Sequence, residues 1–314
     1  MTNIADFLTG RQELYDPADP GIQFSNQPGL PKEVIVDNKL RTWPGLSIAN
    51  LRSAKEYTPV KGDLILGSFV RSGLTWNKQI IFSLMHPDKQ LQDVLVGDNA
   101  AAQQFKRPCV FSQHVHPDMV PMSTEGKYIW IVRNPKDVCV SYFKLNQTTN
   151  VCDFRDGKFE TILDLFMQGK TCMCSWFEHT KAWFKLSQTM DNLLVVKYED
   201  MYKDPVAHIQ RLGSFIGGIA KETAESPNLL QKVLKDSKFD TMKRNQRFYS
   251  ADQVWVDSKN MMIRQGKVGG WRDYFTKEAS DAFDAVFAEH FKGTELENWW
   301  QEDMLWTGRN CDSQ

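Results

Sequence analysis

Three stretches of this 314-residue chain place chemically capable side chains just past the end of a short apolar run. The first is Leu64 to Trp76, LILGSFVRSGLTW, in which Arg71, Ser72, Gly73, Leu74 and Thr75 lie between a short β-branched run and an apolar stretch, Trp76 to Leu84. A strand, a short turn and a helix start aim backbone N–H groups and the positive end of a helix dipole at an anion. Arg71 adds a permanently charged fork, and Ser72 and Thr75 add hydroxyl donors. The alternative here is an ordinary strand-to-helix connection with a surface arginine, because the full G-x-x-x-x-G-K-[ST] pattern is absent.

The second stretch is Cys109 to Pro117, CVFSQHVHP, where a short strand runs straight into His114 and His116. A histidine just past a strand end sits where α/β sheets bind ligands, so it is a candidate general base or else an ordinary loop residue. The His pair could suggest a metal, but no third ligand is evident, so no metal is expected. The third is Lys127 to Asp137, KYIWIVRNPKD. Its strand ends at Arg133, a helix opens at Pro135, and Ser141 follows, which makes a second anion pole. A Gly-rich segment, Met261 to Phe275, carries Arg264, Lys267 and Arg272 and reads as flexible surface or as a basic flap over an anion.

The elements that must position these groups alternate. Strands are expected at Leu64–Leu66, Cys109–Ser112, Lys127–Val132 and Leu193–Lys197. Helices are expected after the first loop as far as His86-Pro87-Asp88, from Pro135, and over Glu160–Leu186 as one long aromatic-rich helix or a pair serving the core. Further helices are expected from about Asp204 to Ile216, over 222–242, and from Glu278. Residues 1–45, rich in Pro, Gly, Asp and Asn, read as an irregular arm anchored by Trp43 and Phe24, and Leu46 to Tyr57 as a short helix. The polar, Ala/Gln-rich segment that runs on to Lys106 has no assigned element. The fold class is therefore α/β: one domain over 46–314, a central mostly parallel sheet flanked by helices, with a P-loop-like strand–loop–helix for phosphate.

Composition narrows the partners. The net charge of −1 carries no long-range field for nucleic acid, so any anion site is local. No run of about 18 apolar residues suggests a membrane span, and the first residues lack the pattern of a secretory signal. The six cysteines lack C-x-x-C pairs and read as reduced thiols. A soluble, cytoplasmic protein is expected.

With these segments in hand the chain resembles the cytosolic sulfotransferases. That family takes 3′-phosphoadenosine 5′-phosphosulfate (PAPS) as co-substrate and releases 3′-phosphoadenosine 5′-phosphate (PAP). IVRNPKDVCVSYF at 131–143 is similar to the family's 3′-phosphate segment, and IRQGKVGGWRDYFT at 263–276 to its R-K-G-x-x-G-D-W-K-N-x-F-T signature. Tyr198-Glu199-Asp200-Met201 resembles its Y-E-D-M turn, and SFVRSGLTW its Y-P-K-S-G-T-T-W loop. The resemblance implies that Arg71, Ser72, Gly73, Leu74 and Thr75 hold the 5′-phosphosulfate end. It implies that Trp76 stacks on adenine with Tyr198 and Phe239 near it, and that Ser237 lies near the nucleotide. Arg133, Ser141 and Arg264, with backbone from Gln265 and Gly266, would bind the 3′-phosphate, and His114 would be the catalytic base. The acceptor would be a small molecule with a hydroxyl or amine, and no metal is required.

The departures are specific. Arg71 and Ser112 stand where the family has lysines, Gln265 replaces a Lys and Gly270 an Asp. The segment between the first loop and His114 is shorter than in the vertebrate enzymes, so acceptor specificity cannot be borrowed from them. Lys277 stands where the family's C-terminal dimer motif has Val, which argues against that dimer. Three other readings remain at this point: a P-loop kinase, which would want a Lys-[ST] pair and a Mg-binding carboxylate that are not visible, a dehydratase working by sulfonation and elimination, and an inactive nucleotide binder.

Overall fold

The computed structural model describes residues 19–44, 57–89, 110–245, 263 and 265–308. At its N-terminal end, strands β1 (Ile22–Ser25), β2 (Glu33–Val36) and β3 (Leu40–Thr42) form an antiparallel sheet in that order. This corrects the irregular arm expected there. Val36 pairs with Leu40 across a turn in which Asp37 and Asn38 take φ of 52° and 56°. Asp and Asn tolerate that left-handed geometry, so a composition read as loop is the turn chemistry of a hairpin. Trp43 packs on the core as expected, but Phe24 is half exposed and lies outside that core cluster.

The central sheet is wholly parallel. Its strands are β4 (Leu64–Ser68), β5 (Val110–Gln113), β6 (Lys127–Val132) and β7 (Leu193–Lys197), in the order β5-β4-β6-β7. Strands β4 and β6 are buried on both faces, as parallel strands covered by helices are. Alternation then divides the core. Ile65, Tyr128, Trp130 and Val132 face one apolar cluster, and Leu64, Leu66, Ile129 and Ile131 face the other.

Helix α1 (Leu74–Met85) follows β4, and α2 (Pro135–Thr148) follows β6. The expected aromatic helix is a pair, α3 (Phe159–Met167) and α4 (Trp176–Ser187), broken where Gly169 adopts φ of 66°. Its Phe166, Trp176, Phe177 and Trp183 belong to the core. After β7 come α5 (Tyr198–Lys203) and α6 (Pro205–Ile216). The expected helix over 222–242 is three short ones, α7 (Ile219–Glu225), α8 (Pro227–Asp236) and α9 (Phe239–Arg244), because Pro227 starts a new helix and Ser237 caps the next end. Helix α10 (Lys277–Phe291) and the short α11 (Gln301–Met304) complete the chain. The helix expected from Leu46, the segment running to Lys106, Cys109, Cys311 and Arg264 lie outside the described residues. Cys139, Cys152, Cys172 and Cys174 are free thiols. Among the described residues no helix is long and apolar enough to cross a membrane.

His179, on α4, supplies a stability prediction. It is 1 % exposed, and burial pushes its pKa down to about 3, reinforced by the His116 and His114 charges and opposed by a backbone bond with Val115. The unfolded chain binds a proton near pH 6.5 that the folded chain refuses until about 3. Stability held above pH 6.5 is therefore lost as the pH falls toward 4. His114 and His208, both pushed down to about 4, add to the same slope. Thermal unfolding should show Tm falling over this window, and His179→Leu should flatten the fall; an equally steep fall in the variant would clear His179 of the effect.

Candidate active site

Because the four strands are parallel, their carboxyl ends share one edge of the sheet. On that edge β4 leads into the 69–73 loop, β5 into His114, β6 into Arg133 and β7 into Tyr198. The loop after β4 stands centrally, with His114 on one flank and Arg133 on the other.

The loop is tightly turned. Arg71 holds φ of 71°, a conformation that costs a residue with a Cβ roughly 1–2 kcal/mol. Gly73, which caps α1, has φ of 103°, and a Cβ there would fall 2.7 Å from the Tyr198 ring. Glycine is what lets the helix start approach Tyr198 this closely. The first turn of α1 holds no acidic residue, so no carboxylate of that turn offsets the helix's positive end. Ser72 is fully buried and, among the described residues, its hydroxyl finds no hydrogen-bond partner, an orphaned donor within the cradle. Leu74 opens the helix, and Thr75 beside it is half-buried.

The two anion poles inferred from sequence are one structure. Arg71 Nε donates to Ser141 Oγ at 3.0 Å, from the loop before α1 across to α2. Arg133 donates to the Arg71 carbonyl at 3.4 Å and to the Lys267 carbonyl at 3.0 Å, while its guanidinium lies 4.1 Å over the Tyr198 ring. Tyr198 in turn meets Trp76 edge-on, ring centroids 5.5 Å apart. Trp76 and Val268 pack on the same apolar cluster, so the 265–271 segment joins this group.

On the other flank His114 Nδ1 lies 2.9 Å from the Ser68 carbonyl oxygen and 3.2 Å from Ser68 Oγ. A carbonyl only accepts, so Nδ1 carries the proton and Nε2 carries the lone pair. The Trp43 ring stands edge-on at 6.5 Å. Loss of hydration pushes the His114 pKa down to about 4; the Ser68 bond opposes this, and the charges of Lys78 and Arg71 reinforce it. At neutral pH the ring is an uncharged acceptor. Among the described residues no group of three or more His, Cys, Asp or Glu is placed to hold a metal ion.

Residues 61–295 match a family model described as the sulfotransferase domain. This chain belongs to the sulfotransferase family. It is 30 % identical over 272 residues to sulfotransferase 2A1 of Rattus norvegicus, covering 79 % of this chain and 92 % of that protein. It is 27 % identical over 266 residues to cytosolic sulfotransferase 1 of Danio rerio, covering 77 % and 87 %. The fold matches the crystal structure of mouse sulfotransferase SULT7A1 complexed with PAP at a TM-score of 0.66 and 21 % identity, covering 90 % of this chain and all of that one. It also matches retinol dehydratase in a complex with retinol and PAP at 0.68 and 17 % identity, covering 94 % and 96 %.

The remaining candidate residues of this sulfotransferase are arranged unequally. Phe239 lies against Gly266, whose φ is 59° and where a Cβ would fall 2.4 Å from the ring, so Gln265 and Gly266 pass close beside it. Ser237 is buried at the end of α8 and donates to the Val233 carbonyl at 2.8 Å, leaving only its acceptor lone pairs for a ligand. Arg272, read as part of a basic flap, turns instead to the Asp303 and Leu305 carbonyls at 3.3 and 2.7 Å.

Sequence reasoning passed over two buried ionisable groups beside the Arg133 pole. Lys136, wholly buried, binds Ser280, Asp284 and the Met304 carbonyl at 2.7, 2.8 and 3.0 Å, which fastens the C-terminal helices to α2. Glu199 accepts from the Asn134 N–H at 2.9 Å and the Trp300 indole at 3.0 Å, and burial pushes its pKa up to about 7. Both stand inside segments whose resemblance had been noted, so the signal was position within the motif and not residue type.

Proposed function

We propose that this sulfotransferase transfers the sulfuryl group of PAPS to a hydroxyl or amine of a small-molecule acceptor, with His114 as general base and Arg71 opposing charge on the leaving group. The observation that carries this reading is the His114 tautomer. Its Nδ1 proton is directed at Ser68, and a neutral Nε2 is left on the strand edge that also carries the Arg71 loop.

In this mechanism the acceptor oxygen or nitrogen attacks sulfur in line. Nε2 of His114 takes the acceptor's proton as the new bond forms. The bond from sulfur to the bridging oxygen breaks, and its electron pair leaves with the 3′,5′-bisphosphate. Arg71 and the loop N–H groups meet that growing charge; an arginine can do this electrostatically without giving up a proton. The Ser72 hydroxyl, without a partner among the described residues, and the acid-free first turn of α1 suit an anion in the loop. Arg133 and Ser141, with the backbone of Gln265 and Gly266, suit the 3′-phosphate. The structural neighbours complexed with PAP agree with this reading, and a relative named for a small hydroxylated molecule, the 3-alpha-hydroxysteroid sulfotransferase of Cavia porcellus, agrees with a small acceptor.

The direct test incubates the protein with labelled PAPS and a panel of phenols, aliphatic alcohols and amines, and follows both PAP and sulfonated product. PAP release without any sulfonated product from any acceptor would defeat the transfer reading. Arg133→Ala should lose about 1.5–3 kcal/mol of PAP affinity, the range for a charge-assisted hydrogen bond. Adenosine 5′-phosphate, which lacks the 3′-phosphate, should lose much less. Equal losses for the two ligands would remove Arg133 from the 3′-phosphate.

A further inference from the structure

Asp137 poses a problem in electrostatics. It lies in the first turn of α2, four residues after Arg133, and a carboxylate beside a phosphate cradle should weaken it by repulsion. Both of its oxygens are engaged elsewhere. Oδ2 accepts the Gly269 N–H at 2.8 Å and Oδ1 accepts the Trp271 N–H at 3.0 Å, and the residue is only 3 % exposed. From the same strand-to-helix turn, Arg133 donates to the Lys267 carbonyl at 3.0 Å. The 265–271 segment is thus held at residue 267 from one side and at residues 269 and 271 from the other, all by residues 133–137. A carboxylate can accept from two N–H groups at once through its two oxygens, whereas an amide offers one acceptor and turns its NH2 toward the second N–H.

We propose that Asp137 is a positioning residue for the 3′-phosphate: it fixes the 265–271 segment so that the backbone of Gln265 and Gly266 faces the Arg133 pole. This rests on the PAPS reading above. The start of α2 neutralises part of the carboxylate's charge, and the two N–H groups hold the remainder away from the cradle.

Calorimetric titration with PAP and with adenosine 5′-phosphate separates positioning from bystander charge, because the two predict opposite signs. Asp137→Asn is expected to lose about tenfold or more in PAP affinity, roughly 1.4 kcal/mol, while adenosine 5′-phosphate changes by about twofold or less. In turnover, KM for PAPS should rise with kcat little altered. A bystander carboxylate predicts tighter PAP binding once its charge is gone; that result, or an unchanged PAP-to-monophosphate ratio, overturns the proposal. Should Asp137→Asn fail to fold, Asp137→Glu asks the same question, since it keeps the charge but displaces the acceptors by one methylene, and it should show the same selective loss. A wild-type protein that itself binds PAP no better than adenosine 5′-phosphate would defeat the 3′-phosphate reading and the role of Asp137 with it. Wild-type discrimination that survives in both variants would defeat only the role of Asp137.

Discussion

His114→Ala is expected to lower turnover by about 10²–10⁴-fold, the range for general-base help, while PAP affinity stays within about threefold. The separation follows from geometry. The ring is held by Ser68 on β4, on the flank of the loop away from the Arg71–Ser141–Arg133 group, so its removal leaves the nucleotide's contacts in place. His116→Ala should be the milder change. That ring is paired with Asp118 at 2.7 Å and is directed along its own loop. Greater damage from His116 would move the base assignment there. The pH dependence gives a second reading. The base must be neutral, and the free enzyme holds His114 at about 4, so the acid limb of kcat/KM should lie well below the ordinary imidazole value of about 6.5. At pH 5.5 an unperturbed imidazole would be about nine-tenths protonated and this enzyme should retain most of its kcat/KM. The bound nucleotide's negative charge opposes the Lys78 and Arg71 contributions, so the acid limb of kcat should lie higher than that of kcat/KM. An acid limb of kcat/KM at or above about 6.5 would mean that a different group supplies the base.

The sheet and its edge were legible because the strands are short, buried and β-branched, and because each functional loop begins where such a run stops. Lys127–Val132 forms over the residues expected, and Pro135 opens its helix as expected, since burial on both faces leaves little room for another register. The N-terminal sheet was not legible. Its strands are three or four residues long, and the Asp37-Asn38 turn that joins two of them has the same composition as a loop. Within Glu160–Leu186 the choice between one helix and a pair was open in the sequence and is decided by Gly169, whose left-handed backbone ends the first helix, while 222–242 is helical as expected but divided where Pro227 starts a helix of its own. At the site, residue types indicated charge and hydroxyls but not direction. Arg133 and Arg272 read alike in sequence, yet one caps Tyr198 beside the loop and the other bonds the C-terminal carbonyls. Asp137 was given no role in the sequence, because its partners lie more than a hundred residues away.

Arg71→Ala should cost about 10²–10³-fold in turnover, the scale of losing one preorganised charge at a developing oxyanion, with a smaller effect on PAP binding. The reasoning is differential: the leaving bisphosphate gains charge in the transition state, so a cation that meets the bridging oxygen contributes most there. Arg71→Lys tests what the guanidinium adds. A lysine keeps the charge but has no Nε to hold Ser141, so the side chain loses the bond that now orients it at 3.0 Å. If charge dominates, this variant should stay within about tenfold of wild type, under roughly 1.4 kcal/mol. A loss as deep as that of Arg71→Ala would show instead that the fixed fork is needed. Arg71→Gly supplies a control for the backbone. The φ of 71° is strained for any residue with a Cβ, and glycine relieves it, so this variant should unfold at a higher temperature than Arg71→Ala while sharing its loss of turnover. Near-normal turnover in both Arg71→Ala and Arg71→Gly would assign the cradle to backbone N–H groups alone, leaving Arg71 as a link between the 69–73 loop and α2.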